Sequence, residues 1–373
     1  MGKAKIGVIF MMSFILLLVG CSAGGGSGSS GGSGSGGGTS GNSGAPAHDG
    51  PAAATGIFAI EFPGEDMNNV NSYLIPEQNV AGDVAFVVWS AVDSGNGVLD
   101  WSSVESQIAT WWNGGKKTAL VVWAVSDSQS IIATPPYVLA QLPPTISCNE
   151  SNGIDGNIPE FTSPAFQTAY SGFLKEFFAH YGSDPRIAYI RVGLGGGGET
   201  YPDCTATEEA SYGLTQQSWQ TYVDAMLGVE HANAGSVPIE VALNCYGTPC
   251  PSSNAYAFPG NVASLAAQYG FGIGQEALQK SDITNYGDGQ ACVVNWCGFF
   301  LQHPDATLHQ LQFAEPTCAD NSCAVGSPIQ LLPFAKTRGA NVVEMSISDL
   351  SIAYVPPAGQ YTQAYQQAIA AFQ

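Results

Sequence analysis

The stretch best suited to chemistry is Tyr189-Ile-Arg191-Val-Gly193-Leu-Gly-Gly-Gly-Gly198-Glu199-Thr-Tyr201-Pro202. It contains Gly193-x-Gly195-x-x-Gly198 after a β-branched run, the spacing of a dinucleotide-binding turn. That use needs a helix to open at once, its N-terminus free for pyrophosphate. Glu199, Pro202 and Cys204 occupy that space instead. The glycines therefore read as backbone access, leaving room for a ligand to approach the Glu199 carboxyl. A carboxylic acid in such a place can donate a proton to a leaving group. Two further acids stand near strand ends and could act beside it: Glu315, in Leu311-Gln-Phe-Ala-Glu315-Pro316, and Glu344, in Val343-Glu344-Met345-Ser346-Ile347-Ser348. Strand alternation turns Glu344 inward, together with Glu61, Arg191 and Glu240. Leu311 and Phe313 look outward, and Glu315 shares their parity unless the chain turns at Ala314–Pro316. Both partners stay open.

These residues need strands to carry them. Short β-branched runs alternate with helical patterns, which predicts βα units and a parallel sheet. The expected strands are Ile57–Phe62, Val84–Trp89, Thr118–Val125, Ile187–Gly193, Ile239–Asn244, Phe271–Gly274, Leu308–Phe313 and Asn341–Ile347. The expected helices include Trp101–Trp112, Phe166–Tyr181, Gln216–Ala232, Pro328–Arg338 and Tyr361–Phe372. Eight strands in this rhythm, without a solenoid repeat, predict a single (β/α)8 TIM barrel of the α/β class over residues 56–373. Connections after the third to seventh strands are long and rich in Pro, Gly, Asn and Cys. Barrels build their sites from such loops at the C-terminal face. Trp89, Trp123, Arg191, Tyr201, Asn244, Tyr246, Glu276 and Trp296 fall at strand ends or in those loops. They form the expected substrate-binding set, aromatic faces being suited to sugar rings.

An acid past the fourth strand, followed by another at the end of the seventh, is similar to the clan A glycoside hydrolases. That resemblance implies Glu199 as general acid/base and Glu315 as nucleophile. It rests on strand order and two positions, not on extended sequence. Where that clan usually has Asn before the first acid, this chain has Gly198. The G-x-S-x-G, H-E-x-x-H, P-loop and EF-hand signatures are missing, so no metal or organic cofactor is expected.

The N-terminus predicts export. Lys3 and Lys5 precede the apolar stretch Gly7 to Gly20, too short to span a bilayer but suited to a secretory signal. It ends in Leu18-Val19-Gly20-Cys21, which resembles a lipobox and implies acylation of Cys21 after removal of residues 1–20. Ser22 after the cysteine implies the outer membrane or cell surface, so the cell envelope is the expected location. Residues 21–55, mostly Gly, Ser and Ala, read as a flexible tether reaching roughly 30 Å. The 373 residues carry 10 Lys+Arg against 30 Asp+Glu. Such a surface repels nucleic acid and anionic lipid, so the membrane is expected to be met through the anchor only. Beyond Cys21, eight cysteines remain for an oxidising compartment. Cys245/Cys250, Cys292/Cys297 and Cys318/Cys323 share a C-x4-C spacing, which leaves Cys148 and Cys204 as a fourth pair. The five His show no ligand spacing beside them, so disulfides stapling the loops are expected rather than metal. The expected function is a surface-tethered glycoside hydrolase acting on an oligo- or polysaccharide. The alternative is a non-catalytic glycan-binding lipoprotein using the same cleft.

Overall fold

Strands meant for a barrel wall are largely apolar on both faces, because helices cover one side and the opposite wall covers the other. In the computed structural model, strands β1 (Gly56–Ile60), β2 (Val80–Val88) and β3 (Lys117–Trp123) come first. Next follow β4 (Ile146–Asn149), β5 (Asp155–Ile158), β6 (Ile187–Val192) and β7 (Ile239–Ala242). Strands β8 (Gly272–Leu278), β9 (His309–Phe313) and β10 (Val342–Ser346) complete the set. β4 and β5 pair as an antiparallel ribbon, and the other eight close into a barrel in the order β1-β10-β9-β8-β7-β6-β3-β2. Every pairing around the barrel is parallel. The described residues are 54–62, 65–95, 97–125, 132–142, 146–149, 155–202, 210–244, 257–286, 296–304, 306, 308–313, 317, 322 and 325–373.

The two faces of the wall do different work. Outward residues such as Ile57, Ala59, Val87, Leu120, Val122, Ile190 and Met345 belong to one buried cluster with Ile108, Trp111, Leu174, Phe177, Val223 and Ile369. Those partners lie on helices Ser102–Asn113, Pro164–Tyr181, Gln216–Asn233 and Thr362–Phe372. The inward face holds a second apolar cluster of Phe58, Ile60, Val84, Ala119, Val121, Tyr189, Leu308 and Val342, with Phe86 and Trp123 packed against it. Helix Gln216–Asn233 starts at a capping box: the Thr215 hydroxyl accepts from Ser218 N–H at 3.1 Å, and the Ser218 hydroxyl answers the Thr215 N–H at 2.9 Å.

All eight expected barrel strands form, with ends shifted by a few residues. Helices Ala257–Gln268 and Ile347–Tyr354 and the β4–β5 ribbon are additional. Pro259 and Gly260 disguise the first helix, although Pro is tolerated in a first turn. The second starts directly after β10, so Ile347 continues the strand's apolar pattern while its backbone is already helical. Glu61 does not face the barrel interior. It lies past the end of β1, where its carboxylate accepts from Met67 N–H at 3.0 Å. Residues 1–53 lie outside the described residues, and with them the signal, Cys21 and most of the expected tether.

Candidate active site

Glu199 owes its position to glycine. The chain leaves β6, runs through Gly193 to Gly198 and folds back, so that Leu194 and Gly195 N–H both donate to Glu199 C=O at 2.9 and 2.8 Å. Glu199 N–H donates to Gly196 C=O at 3.0 Å, and Gly196 N–H to Tyr201 C=O at 3.2 Å. A Cβ on Gly195 would sit 1.8 Å from the Tyr201 carbonyl oxygen. Gly198 takes φ +90°, and a Cβ there would lie 2.8 Å from Trp123 Nε1 and 2.9 Å from Val121. The run is a tight reversal against the end of β3, not a phosphate cradle.

The reversal leaves Glu199 half-buried beyond the C-terminal end of β6, with its carboxylate against the next strand. Asn244, two residues past β7, donates from Nδ2 to Glu199 Oε2 at 2.5 Å. Thr200 braces the same corner. Its N–H donates to Asn244 Oδ1 at 3.0 Å, its hydroxyl reaches Ala242 C=O at 2.5 Å, and its carbonyl accepts from the Trp219 indole at 2.9 Å. Asn244, expected as a substrate contact, is thus engaged with Glu199 itself. Trp123, at the end of β3, packs on Phe86 with ring centroids 4.8 Å apart and carries the apolar inner face toward the mouth.

Glu344 and Arg191 are correctly turned inward, but they are not at the rim. Both are essentially inaccessible. Tyr189 donates to Glu344 Oε1 at 2.6 Å, Arg191 reaches Glu344 Oε2 at 3.4 Å and Gln312 Oε1 at 3.3 Å, and Glu240 lies 3.9 Å from the Arg191 Nε. Gly274 makes room for this layer, since a Cβ there would overlap the Glu240 carboxylate at 2.0 Å. Glu344 thus lies at the floor of the barrel mouth, held by Tyr189 and Arg191. Arg191 is the cation of this buried layer. Trp89 is corrected. It opens a short helix after β2, is fully buried against Phe166, Tyr170 and Phe173, and donates to Asp93 at 3.2 Å.

The other expected residues are placed less completely. Tyr201 closes the glycine reversal through its carbonyl. Glu276 lies in β8 and Trp296 opens helix Trp296–Gln302, while their side chains are outside what is described. Glu315 and Tyr246 lie outside the described residues. So do Cys204, Cys245, Cys250, Cys292, Cys318 and Cys323, and the side chains of Cys148 and Cys297.

Sequence reasoning passed over one carboxylate group at the same end of the barrel. Glu65, after β1, accepts from Ser346 Oγ at 2.6 Å, Ser348 N–H at 3.0 Å and Phe62 N–H at 2.8 Å. Asp349 is buried and accepts from the Thr317 hydroxyl. Burial raises the Asp349 carboxyl to about 6; Thr317 opposes that rise and Glu65 adds to it. The cluster ties Thr317, two residues beyond Glu315, to the helix after β10. Its sequence signal was the Ser346-x-Ser348-Asp349 capping pattern.

Among the described residues no group of three His, Cys, Asp or Glu could hold a metal ion, and no helix is long and apolar enough to cross a membrane. A shallow groove of about 490 Å³, lined by Trp112, Phe178, His180, Asp184 and Arg186, lies at the opposite end, where loops enter β3 and β6. Arg186 there is held by Asp184 and Glu105 at 2.5 and 2.9 Å. That groove is remote from Glu199.

The sequence matches no family model and no curated relative. Solved structures do resemble it. The catalytic domain of a β-amylase from Paenibacillus polymyxa superposes with a TM-score of 0.60 at 12% identity, over 86% of this chain and all of that one. The likeness fixes the fold. A β-galactosidase from the psychrophilic Marinomonas ef1 gives 0.49 at 10% identity, over 85% of this chain and 59% of that one.

Proposed function

We propose that this protein is a glycoside hydrolase working through two carboxylates, with Glu199 as the general acid. One observation carries the reading: a half-buried carboxyl beyond a strand end of a closed (β/α)8 barrel, aimed by a side chain from the next strand. Such loops are where barrels place reacting groups. The likeness to a β-amylase catalytic domain supports a carbohydrate substrate. In the proposed step the Glu199 proton passes to the glycosidic oxygen as its bond to the anomeric carbon breaks. Glu315, between β9 and Thr317, is the proposed partner. Its carboxylate either takes a proton from the water that attacks the anomeric carbon, or attacks that carbon itself to form a glycosyl ester, which water deprotonated by Glu199 then cleaves to free Glu315. Either way the sum is hydrolysis of one glycosidic bond.

A hydrolysis screen of the purified protein against plant, bacterial and storage polysaccharides tests this reading. New reducing ends from at least one glycan are expected. Binding without cleavage across the panel would favour capture over catalysis. Tethering through acylated Cys21 is proposed from the lipobox resemblance, and a Cys21→Ala chain that still took up labelled palmitate would refute it. Pairing of Cys245–Cys250, Cys292–Cys297, Cys318–Cys323 and Cys148–Cys204 is proposed from spacing. Non-reducing peptide mapping that joined two different C-x4-C units would overturn it.

A further inference from the structure

Asn and Gln amides look alike at both ends, but their neighbours decide which end is which. The Thr200 backbone N–H can only donate, and it points at one end of the Asn244 amide from 3.0 Å. That end is the oxygen, so Nδ2 faces Glu199 Oε2. An NH2 group donates and does not accept. Oε2 must then accept whether Glu199 is neutral or ionised, and the proton of the neutral acid resides on Oε1.

We propose that Asn244 is the positioning residue of Glu199: it assigns the transferable proton to Oε1 and holds the emptied carboxylate after transfer. This deepens the glycoside-hydrolase reading and rests on it for the activity readouts alone.

Gly198, at φ +90°, has no room for a side chain beside the acid, since a Cβ there would meet Trp123 Nε1 at 2.8 Å. The carboxamide that reaches Glu199 comes from just past β7, and its rigidity comes from Thr200, which is tied to Ala242 on β7 and to Trp219 on helix Gln216–Asn233. Among the described residues, the other titratable groups on the strands that meet here are Lys117 at the far end of β3, Arg191 and Tyr189 on β6, Glu240 on β7 and Glu276 on β8. Tyr189, Arg191 and Glu240 belong to the buried layer.

The experiment compares wild type with Asn244→Ala and Asn244→Asp. Asn244→Asp keeps the acceptor for Thr200 N–H and so protects the fold. Two readouts are taken: the pH dependence of kcat and KM, and the 13C-carboxyl titration of Glu199, assigned with Glu199→Gln. A donated hydrogen bond favours the ionised form. Its loss in Asn244→Ala should therefore raise the Glu199 midpoint and the alkaline limb of kcat by about one pH unit. In Asn244→Asp two carboxylates compete for one proton, and both should rise further. Turnover of a glycan with a poor leaving group should fall about tenfold, while an aryl glycoside with a good leaving group and KM should be little changed. An unmoved Glu199 midpoint in both variants overturns the proposal, as does a raised KM with kcat and its alkaline limb intact, the signature of a substrate contact. If no glycan is cleaved, the titration alone decides: a raised midpoint upholds the positioning while the hydrolase reading falls.

Discussion

Replacing Asp83 with Asn should stabilise the protein at pH 8 and leave it nearly unchanged at pH 4. Asp83 sits in β2 with no exposed surface, and Gln107 on helix Ser102–Asn113 donates to its Oδ2 at 2.7 Å. Its Oδ1 and the neighbouring Thr118 hydroxyl each lack a well-formed hydrogen bond. Burial raises this carboxyl from 3.8 to about 7, against smaller opposing contributions from Thr118 and Gln107. The folded state thus holds the proton more tightly than the unfolded chain. Between pH 4 and 7 the unfolded chain has released it and the folded chain has not, so stability falls as pH rises through that window and then levels. The full fall corresponds to about 4 kcal/mol. Asn cannot ionise and escapes it. Allowing for an imperfect fit of the new NH2 group, Asp83→Asn should gain about 2–4 kcal/mol at pH 8 and differ by less than about 1 kcal/mol at pH 4. Asp349, raised to about 6, adds a slope of the same sign that the substitution leaves in place. Guanidinium unfolding at pH 4, 6 and 8 reads these differences. Parallel stability curves for the two proteins across that range would show that Asp83 ionises normally and would refute the reasoning.

Other perturbations separate the barrel interior from the site. Arg191→Met leaves Glu240 and Glu344 facing each other without the guanidinium between them, and should lower stability by about 3–5 kcal/mol at neutral pH in a denaturant titration. Gly195→Ala forces a Cβ into the Tyr201 carbonyl and should dislodge Glu199, lowering turnover on any confirmed substrate by more than about tenfold. Gly172→Ala, in the middle of helix Pro164–Tyr181 with nothing within 4 Å of the new Cβ, should instead add about 0.5–1 kcal/mol and leave activity unchanged.

The fold was legible because barrel strands carry a period that survives in the sequence. Alternation along Val342–Ser346 and Ile187–Val192 turned Glu344 and Arg191 inward, and they are inward. What alternation cannot give is depth. It does not tell an inward acid at the mouth from one two residues below the end of β10, where Glu344 sits. Trp89 shows the same limit at a strand end, where a change of backbone to helix swings the indole from the expected rim into the outer core. Asp83 was passed over because the expected strand began at Val84, whereas β2 starts at Val80. The glycine run identified Glu199 as unusual. Its bond to Asn244, 45 residues later, depends on how far each strand end projects, and spacing in sequence does not encode that.

The most direct measurement is the turnover of Glu199→Gln on an unactivated glycan that the wild-type protein cleaves. Gln keeps the shape of the side chain and removes the proton it would give. With Glu199 as the general acid, kcat should fall by at least roughly 10²-fold while KM stays close to wild type. Wild-type turnover in Glu199→Gln would contradict the proposed mechanism outright.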